Sequence, residues 1–141
     1  MKHLYLLLLA ICYSSLAPAQ TPRTHTDSLK APRFEFIGGH THDFGEIKEG
    51  APAEYTFRFR NTGRQPIIIT NVSASCGCMV PDYGKEPVLP GKKGWIKAIY
   101  GTRGRPGRFE KTLYIQSNAL TALDREEIYV KGRVVPVATK G

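Results

Sequence analysis

Apolar and polar residues alternate along this chain in short runs separated by glycine, proline and asparagine. Tyr55, Phe57 and Phe59 alternate with Thr56, Arg58 and Arg60, and Ile96, Ala98 and Tyr100 alternate with Trp95 and Lys97. Leu113 and Ile115 alternate with Thr112, Tyr114 and Gln116, and Ile128, Val130, Gly132 and Val134 with Tyr129, Lys131 and Arg133. A period of two places one set of side chains on a single face of an extended chain. Each run therefore reads as a half-buried strand. The apolar run from Pro66 to Val72 lacks alternation and reads as a core strand that continues to Ala74. Phe34-Glu35-Phe36-Ile37 alternates once, Gly38-Gly39 breaks it, and His40 to Gly45 resumes an extended pattern. A glycine pair there implies a bulge or a switch between two sheets.

Turn chemistry fills the gaps. Lys48-Glu49-Gly50 with Pro52, Asn61-Thr62-Gly63-Arg64, the stretch Tyr83 to Gly94 and the stretch Gly101 to Gly107 read as turns or loops. No run has helical periodicity; Ala119 to Glu127 holds one turn at most. About seven short strands at regular spacing, each with one apolar face, specify an all-β fold, an immunoglobulin-like antiparallel β-sandwich. No internal repeat is present, so a single domain is expected over 33–136. A polar lead-in at 20–32 precedes it, and a tail at 137–141 follows.

The first nineteen positions are read separately. Met1-Lys2-His3 is a short basic start, Leu4 to Ile11 is apolar, and Ala17-Pro18-Ala19 offers small residues for cleavage. This is the pattern of a secretory signal peptide, and the apolar run is too short to span a bilayer as a helix. The expected mature chain starts at Gln20 and is exported to the periplasm or the extracellular space. A lipid-anchored alternative uses Cys12 in Leu9-Ala10-Ile11-Cys12, although Ile11 is bulky where a lipoprotein box wants a small residue. No later stretch is apolar enough for a transmembrane segment. The formal net charge of +8 favours acidic partners, an envelope protein or an anionic glycan, with solubility alone as the plainer reading. Export would remove the protein from chromosomal nucleic acid.

Two constellations carry candidate chemistry. The first is Ser75-Cys76-Gly77-Cys78-Met79-Val80-Pro81, which holds the two cysteines left after leader removal. In one reading they are small packed side chains at the end of the core, the usual behaviour of free cysteine. In a second they form a disulfide. Extended Cα atoms two residues apart sit about 6.5–7 Å from each other, at the edge of the permitted range, so Gly77 must turn the chain. In a third, Cys76, Cys78 and Met79 supply soft donors to Cu(I), with His40 or His42 as further ligands. Cys-x-Cys is a poorer chelate than the spacing of structural zinc sites. The second constellation is Arg103-Gly104-Arg105-Pro106-Gly107-Arg108, where Arg103, Arg105 and Arg108 offer an anion-binding loop. Its Arg-Gly-Arg-Pro core resembles a minor-groove hook, yet it is expected to close a hairpin between strands. Asn71-Val72-Ser73 fits a glycosylation acceptor but lies in the expected core strand. No nucleophile elbow, His-Glu-x-x-His helix or phosphate-cradling glycine loop occurs, and no cofactor is expected.

The ordered set Phe44-Gly45, Phe57 to Gly63, Pro66, Ser75-Cys76-Gly77-Cys78, Pro81, Pro90-Gly91, Ser117-Asn118 and Gly132 resembles the domain of unknown function 1573 family. The resemblance covers Phe34 to about Val135. Met79 departs from it, standing where the family usually has Thr. It implies exported bacterial proteins with an immunoglobulin-like sandwich similar to Hydin-type and major-sperm-protein-like domains, and it implies no reaction. The leading expectation is a non-catalytic interaction module of the cell envelope, holding its partner at the loop pole from Cys76 to Gly91 or at an exposed sheet edge. The alternatives are a redox or copper-handling protein built on Cys76, Cys78 and Met79, and a binder of anionic polymer built on the arginine loop.

Overall fold

The structure is a computed structural model that describes residues 30–119, 121 and 123–138. The expected signal peptide, the Gln20 start, Cys12 and most of the lead-in lie outside the described residues. Eight strands follow in order: β1 Phe34–Ile37, β2 Thr41–Lys48, β3 Ala53–Asn61, β4 Ile69–Ala74, β5 Met79–Tyr83, β6 Lys93–Tyr100, β7 Gly107–Ser117 and β8 Glu126–Val135. They form two four-stranded sheets, ordered β1-β3-β6-β5 and β2-β8-β7-β4. The alternating runs supply the two inner faces. Phe57, Phe59, Ile96, Ala98 and Tyr100 from the first sheet meet Leu113, Ile115, Ile128, Val130 and Val134 from the second, all buried. Tyr100 stacks on Phe109 across the sandwich, with ring centroids 4.0 Å apart.

The glycine pair at Gly38-Gly39 is the switch between sheets. Both residues have φ of +91°, a conformation that side chains with a Cβ rarely adopt. The chain leaves the first sheet at Ile37 and enters the second at Thr41.

The expected all-β sandwich is present, and four of its details differ from the sequence reading. The sandwich has an eighth strand, β5, where Pro81-Asp82-Tyr83 reads as a route into a loop; Pro81 is tolerated because β5 is the edge of its sheet. The pairing is not wholly antiparallel, since β2 lies parallel to β8, with a register shift between Asp43 and Glu46. Gly101 to Pro106 closes no hairpin: β6 and β7 belong to different sheets, so this loop is a corner between layers. The core strand from Ile67 is shorter and sits at an edge. It starts at Ile69 and exposes Asn71, while Ile67 makes an isolated bridge to Val88.

Two buried polar side chains tie the loops to the core. Asn61 is fully buried, and its Nδ2 donates to the carbonyls of Gln65 at 2.7 Å and Val88 at 2.9 Å. Its Oδ1 accepts from the backbone N–H of Gly63 at 2.9 Å and of Arg33 at 3.3 Å. Thr102, 1% exposed, donates from Oγ1 to the Ala51 carbonyl and accepts from the Gly50 N–H, each at 2.9 Å. Every polar atom of these two side chains is thereby used, the condition under which burying them is tolerable.

Candidate functional site

The strand directions sort the loops into two poles. At one pole lie the β2–β3 turn around Gly50, the β4–β5 turn with Cys76 to Cys78, and the Gly101 to Pro106 corner. At the other lie the Asn61 to Ile68 connection, the Gly84 to Lys92 loop and the β7–β8 connection, while Gly38-Gly39 crosses from sheet to sheet part-way between the poles. The expected partner-holding pole from Cys76 to Gly91 is therefore divided. Strand β5 carries the chain from one end of the sandwich to the other in between.

Cys76 and Cys78 are joined by a disulfide, with Cα atoms 5.2 Å apart. β4 ends at Ala74, and Ser75 to Cys78 is the turn that the disulfide reading calls for, bringing the Cα atoms closer than a strand allows. Both cysteines are half-buried against the core, and Gly77 between them is exposed, with no atom within 4 Å of where a Cβ would stand. Met79 follows at 4% exposure, opposite Tyr100 in β6, so its thioether belongs to the core. His40 and His42 are not brought beside the cysteines; His42 pairs with Val130 at the β2 edge of the second sheet, and two strands separate it from the β4 edge that leads into the cysteine turn. His42 stacks on Tyr55 at 3.5 Å and meets Phe44 edge-on at 4.6 Å. Burial there holds its pKa below the ordinary value, with the Asp43 carboxylate acting weakly the other way. No group of three or more His, Cys, Asp or Glu among the described residues is placed to hold a metal.

The arginine loop shares the cysteine pole. The Gly101 N–H donates to the Cys78 carbonyl at 2.9 Å, and Arg105 Nη1 donates to the Gly101 carbonyl at 3.3 Å and the Arg103 carbonyl at 3.2 Å. Gly104 N–H donates to Glu49 Oε1 at 2.6 Å. Arg105 thus staples its own corner, and an acidic side chain lies against the loop's backbone. Arg103 and Arg108 stay exposed. The sequence singles out both constellations but gives no sign that they meet. Lys111 escapes sequence reading altogether. Ala74 pairs with Leu113, and Ser75 N–H donates to the Thr112 carbonyl, so the same antiparallel count sets Cys76 level with Lys111.

A second surface emerges on the outer face of the β1-β3-β6-β5 sheet. Arg58 lies between Ile37 and Trp95, Arg60 pairs with Lys93, and Lys97 stands between Thr56 and Asp82. The Trp95 indole lies over Gly84, where an added Cβ would stand 3.3 Å from Nε1. Beside it, Gly84, Leu89, Lys93 and Trp95 contribute to an open hollow of about 290 Å³. A larger hollow of about 450 Å³ on the opposite sheet is lined by Asp43, Glu46, Arg108, Glu110, Lys131 and Arg133. Its charges of both signs sit close together, Lys131 and Asp43 at 3.8 Å among them, which is the pattern of a solvated face. Near the β7–β8 connection two glutamates are engaged locally. Tyr129 and Arg125 donate to Glu127 and lower its pKa, while burial raises that of Glu126, 3.8 Å from His40.

These sheets, their order and their poles define an immunoglobulin-like sandwich. The chain belongs to the family described as "Protein of unknown function (DUF1573)", whose model matches residues 36–134. No curated protein matches the chain. Among solved structures it is similar to a protein of unknown function from Porphyromonas gingivalis W83, with TM-score 0.63 and 16% identity over 84% of this chain and 51% of that one. It is also similar to the ASH / PapD-like domain of human CEP192, with TM-score 0.61 and 12% identity over 88% of this chain and 98% of that one. The secreted serine protease VesC from Vibrio cholerae matches at TM-score 0.56 and 12% identity over 81% of this chain and 25% of that one. The chain thus spans about half the length of the Porphyromonas protein and a quarter of VesC. At these identities the likeness is one of fold.

Proposed function

We propose that this domain is a non-catalytic interaction module of the cell envelope that holds an acidic protein partner on the outer face of its β1-β3-β6-β5 sheet. The observation that carries the reading is Trp95, half-buried on that face, with Arg58 as its cross-strand neighbour and Arg60, Lys93 and Lys97 around it. Trp and Arg are the residue types that dominate protein interfaces when they meet in one patch. Exposed Ile37 and Val80 extend the patch to both edges of the sheet. Glu35 stands opposite Arg60 and Asp82 opposite Lys97, and Glu54 engages Lys97 at 3.8 Å, so Arg58 and Lys93 are the cations of the face with no acidic residue opposite them in register. The remaining cations call for a partner of opposite sign. Export, expected from the leader, supplies the compartment.

In vivo photo-cross-linking with a photoreactive residue at position 95 tests the reading, with position 110 on the opposite sheet as control. A discrete protein adduct at 95, absent at 110 and lost when Arg58 and Lys93 are changed to Glu, is the expected result. Equal adducts at both positions, adducts to glycan alone, or none at 95 would overturn it.

A further inference from the structure

We infer that the Cys76–Cys78 disulfide is a thiol–disulfide exchange site that accepts electrons from an exported dithiol protein. The inference starts from what this bond does not do. It joins residues two apart in sequence, and a loop that short removes far less entropy from the unfolded chain than a long one. The neighbouring architecture is already fixed without it. Met79 is anchored in the core opposite Tyr100, the Cys78 carbonyl is held by Gly101 N–H, and Ser75 is bonded through its backbone to Thr112. A bond that contributes so little to the frame is free to open.

Access and electrostatics point the same way. Gly77 is exposed and carries no side chain, and the cysteines on either side of it are only half-buried, so the turn faces solvent. Reactive cysteines need cationic surroundings, here in the absence of any helix terminus. The fold provides them from two sides. Arg105 Nη1 and the Cys78 carbonyl oxygen both stand 3.6 Å from one point, the site of an added Cβ on Gly101. Lys111 is level with Cys76 by register and shares the inward-facing set of β7 with Phe109 and Leu113, yet is only half-buried, as expected at the open mouth of the sandwich.

The step is balanced as follows. A thiolate of the dithiol partner attacks Cys78 Sγ and forms a mixed disulfide, and the Cys76 sulfur leaves with the bonding electron pair as a thiolate on the side of Lys111. The partner's second thiolate then attacks the partner sulfur of the mixed bond and expels Cys78. The partner ends as a disulfide and this chain as a dithiol, two electrons having moved; the two protons the partner thiols release are taken up by Cys76 and Cys78. Lys111 is a positioning residue that favours the leaving thiolate.

Equilibration of the full-length exported protein with reduced and oxidised glutathione, read by alkylation and intact mass, tests the proposal. The disulfide is expected to open and re-form reversibly across glutathione ratios while circular dichroism stays unchanged. Lys111→Met should slow opening by about threefold or more, with Lys111→Arg restoring the rate and Cys76→Ser accumulating a mixed disulfide on Cys78. A bond that stays closed at every ratio, opening that unfolds the sandwich, or equal rates in Lys111→Met and the parent protein would overturn it.

Discussion

Replacing Asn61 with Ala should be among the most damaging single changes in the sandwich, although sequence patterning places this residue in a surface turn. The side chain is fully buried and makes four hydrogen bonds to backbone groups of three separate segments. Ala removes all four. The carbonyls of Gln65 and Val88 and the N–H of Gly63 lose close partners, and the longer bond from Arg33 contributes less. At about 1 kcal/mol net for each exchange, rising to ~3 where water cannot enter, the expected loss is about 3–5 kcal/mol. A domain of this size has ~5–15 kcal/mol in all, so the variant would sit near the folding threshold. Asn61→Asp should do no better, because it keeps the acceptor for Gly63 but offers no donor to the two carbonyls. Urea unfolding followed by circular dichroism measures the effect, with Thr62→Ala as the exposed neighbour expected to stay within ~0.5 kcal/mol. A loss below ~1 kcal/mol for Asn61→Ala would refute the reasoning, since it would mean that water replaces the amide at no cost.

Thr102→Val preserves shape and removes the hydroxyl that links Gly50 and Ala51, so it should cost about 1–3 kcal/mol in the same unfolding assay. The lowered pKa of His42 makes stability depend on pH in one direction. The folded state binds its proton less readily than the unfolded chain, so this contribution is full above the ordinary value of 6.5 and is lost as pH falls through the lowered folded value. Unfolding midpoints of the parent protein and His42→Asn, compared between about pH 7.5 and 5, should show a decline in the parent that is flatter in the variant.

Much of the frame was legible because one-sided burial writes itself into the sequence. Tyr55 to Phe59, Ile96 to Tyr100 and Ile128 to Val134 alternate, and the structure buries the expected faces. Gly38-Gly39 announced a break that proves to be the crossing between sheets. What escaped was non-local. Strand β5 contains a proline and borrows its register from β6, and the parallel pairing of β2 with β8 joins segments far apart in sequence, with Thr41 opposite Tyr129. Asn61 has turn chemistry beside it in Gly63, and only the arrival of the Val88 loop turns it into a buried bracket. At the cysteine pole the sequence offers the pair and the arginine loop as separate motifs. Their meeting through Gly101, and the level placement of Lys111, depend on how corners between the two sheets close.

The most direct test of the account uses the fact that Trp95 is the single tryptophan of the chain. Once a partner has been captured by cross-linking at position 95, its titration against unmodified protein can be followed in tryptophan emission. The interaction-face account predicts a saturable blue shift as the indole loses water, weakened by added salt and abolished by Arg58→Glu with Lys93→Glu. Binding that leaves the emission of Trp95 unchanged, or that survives both charge reversals, would contradict it.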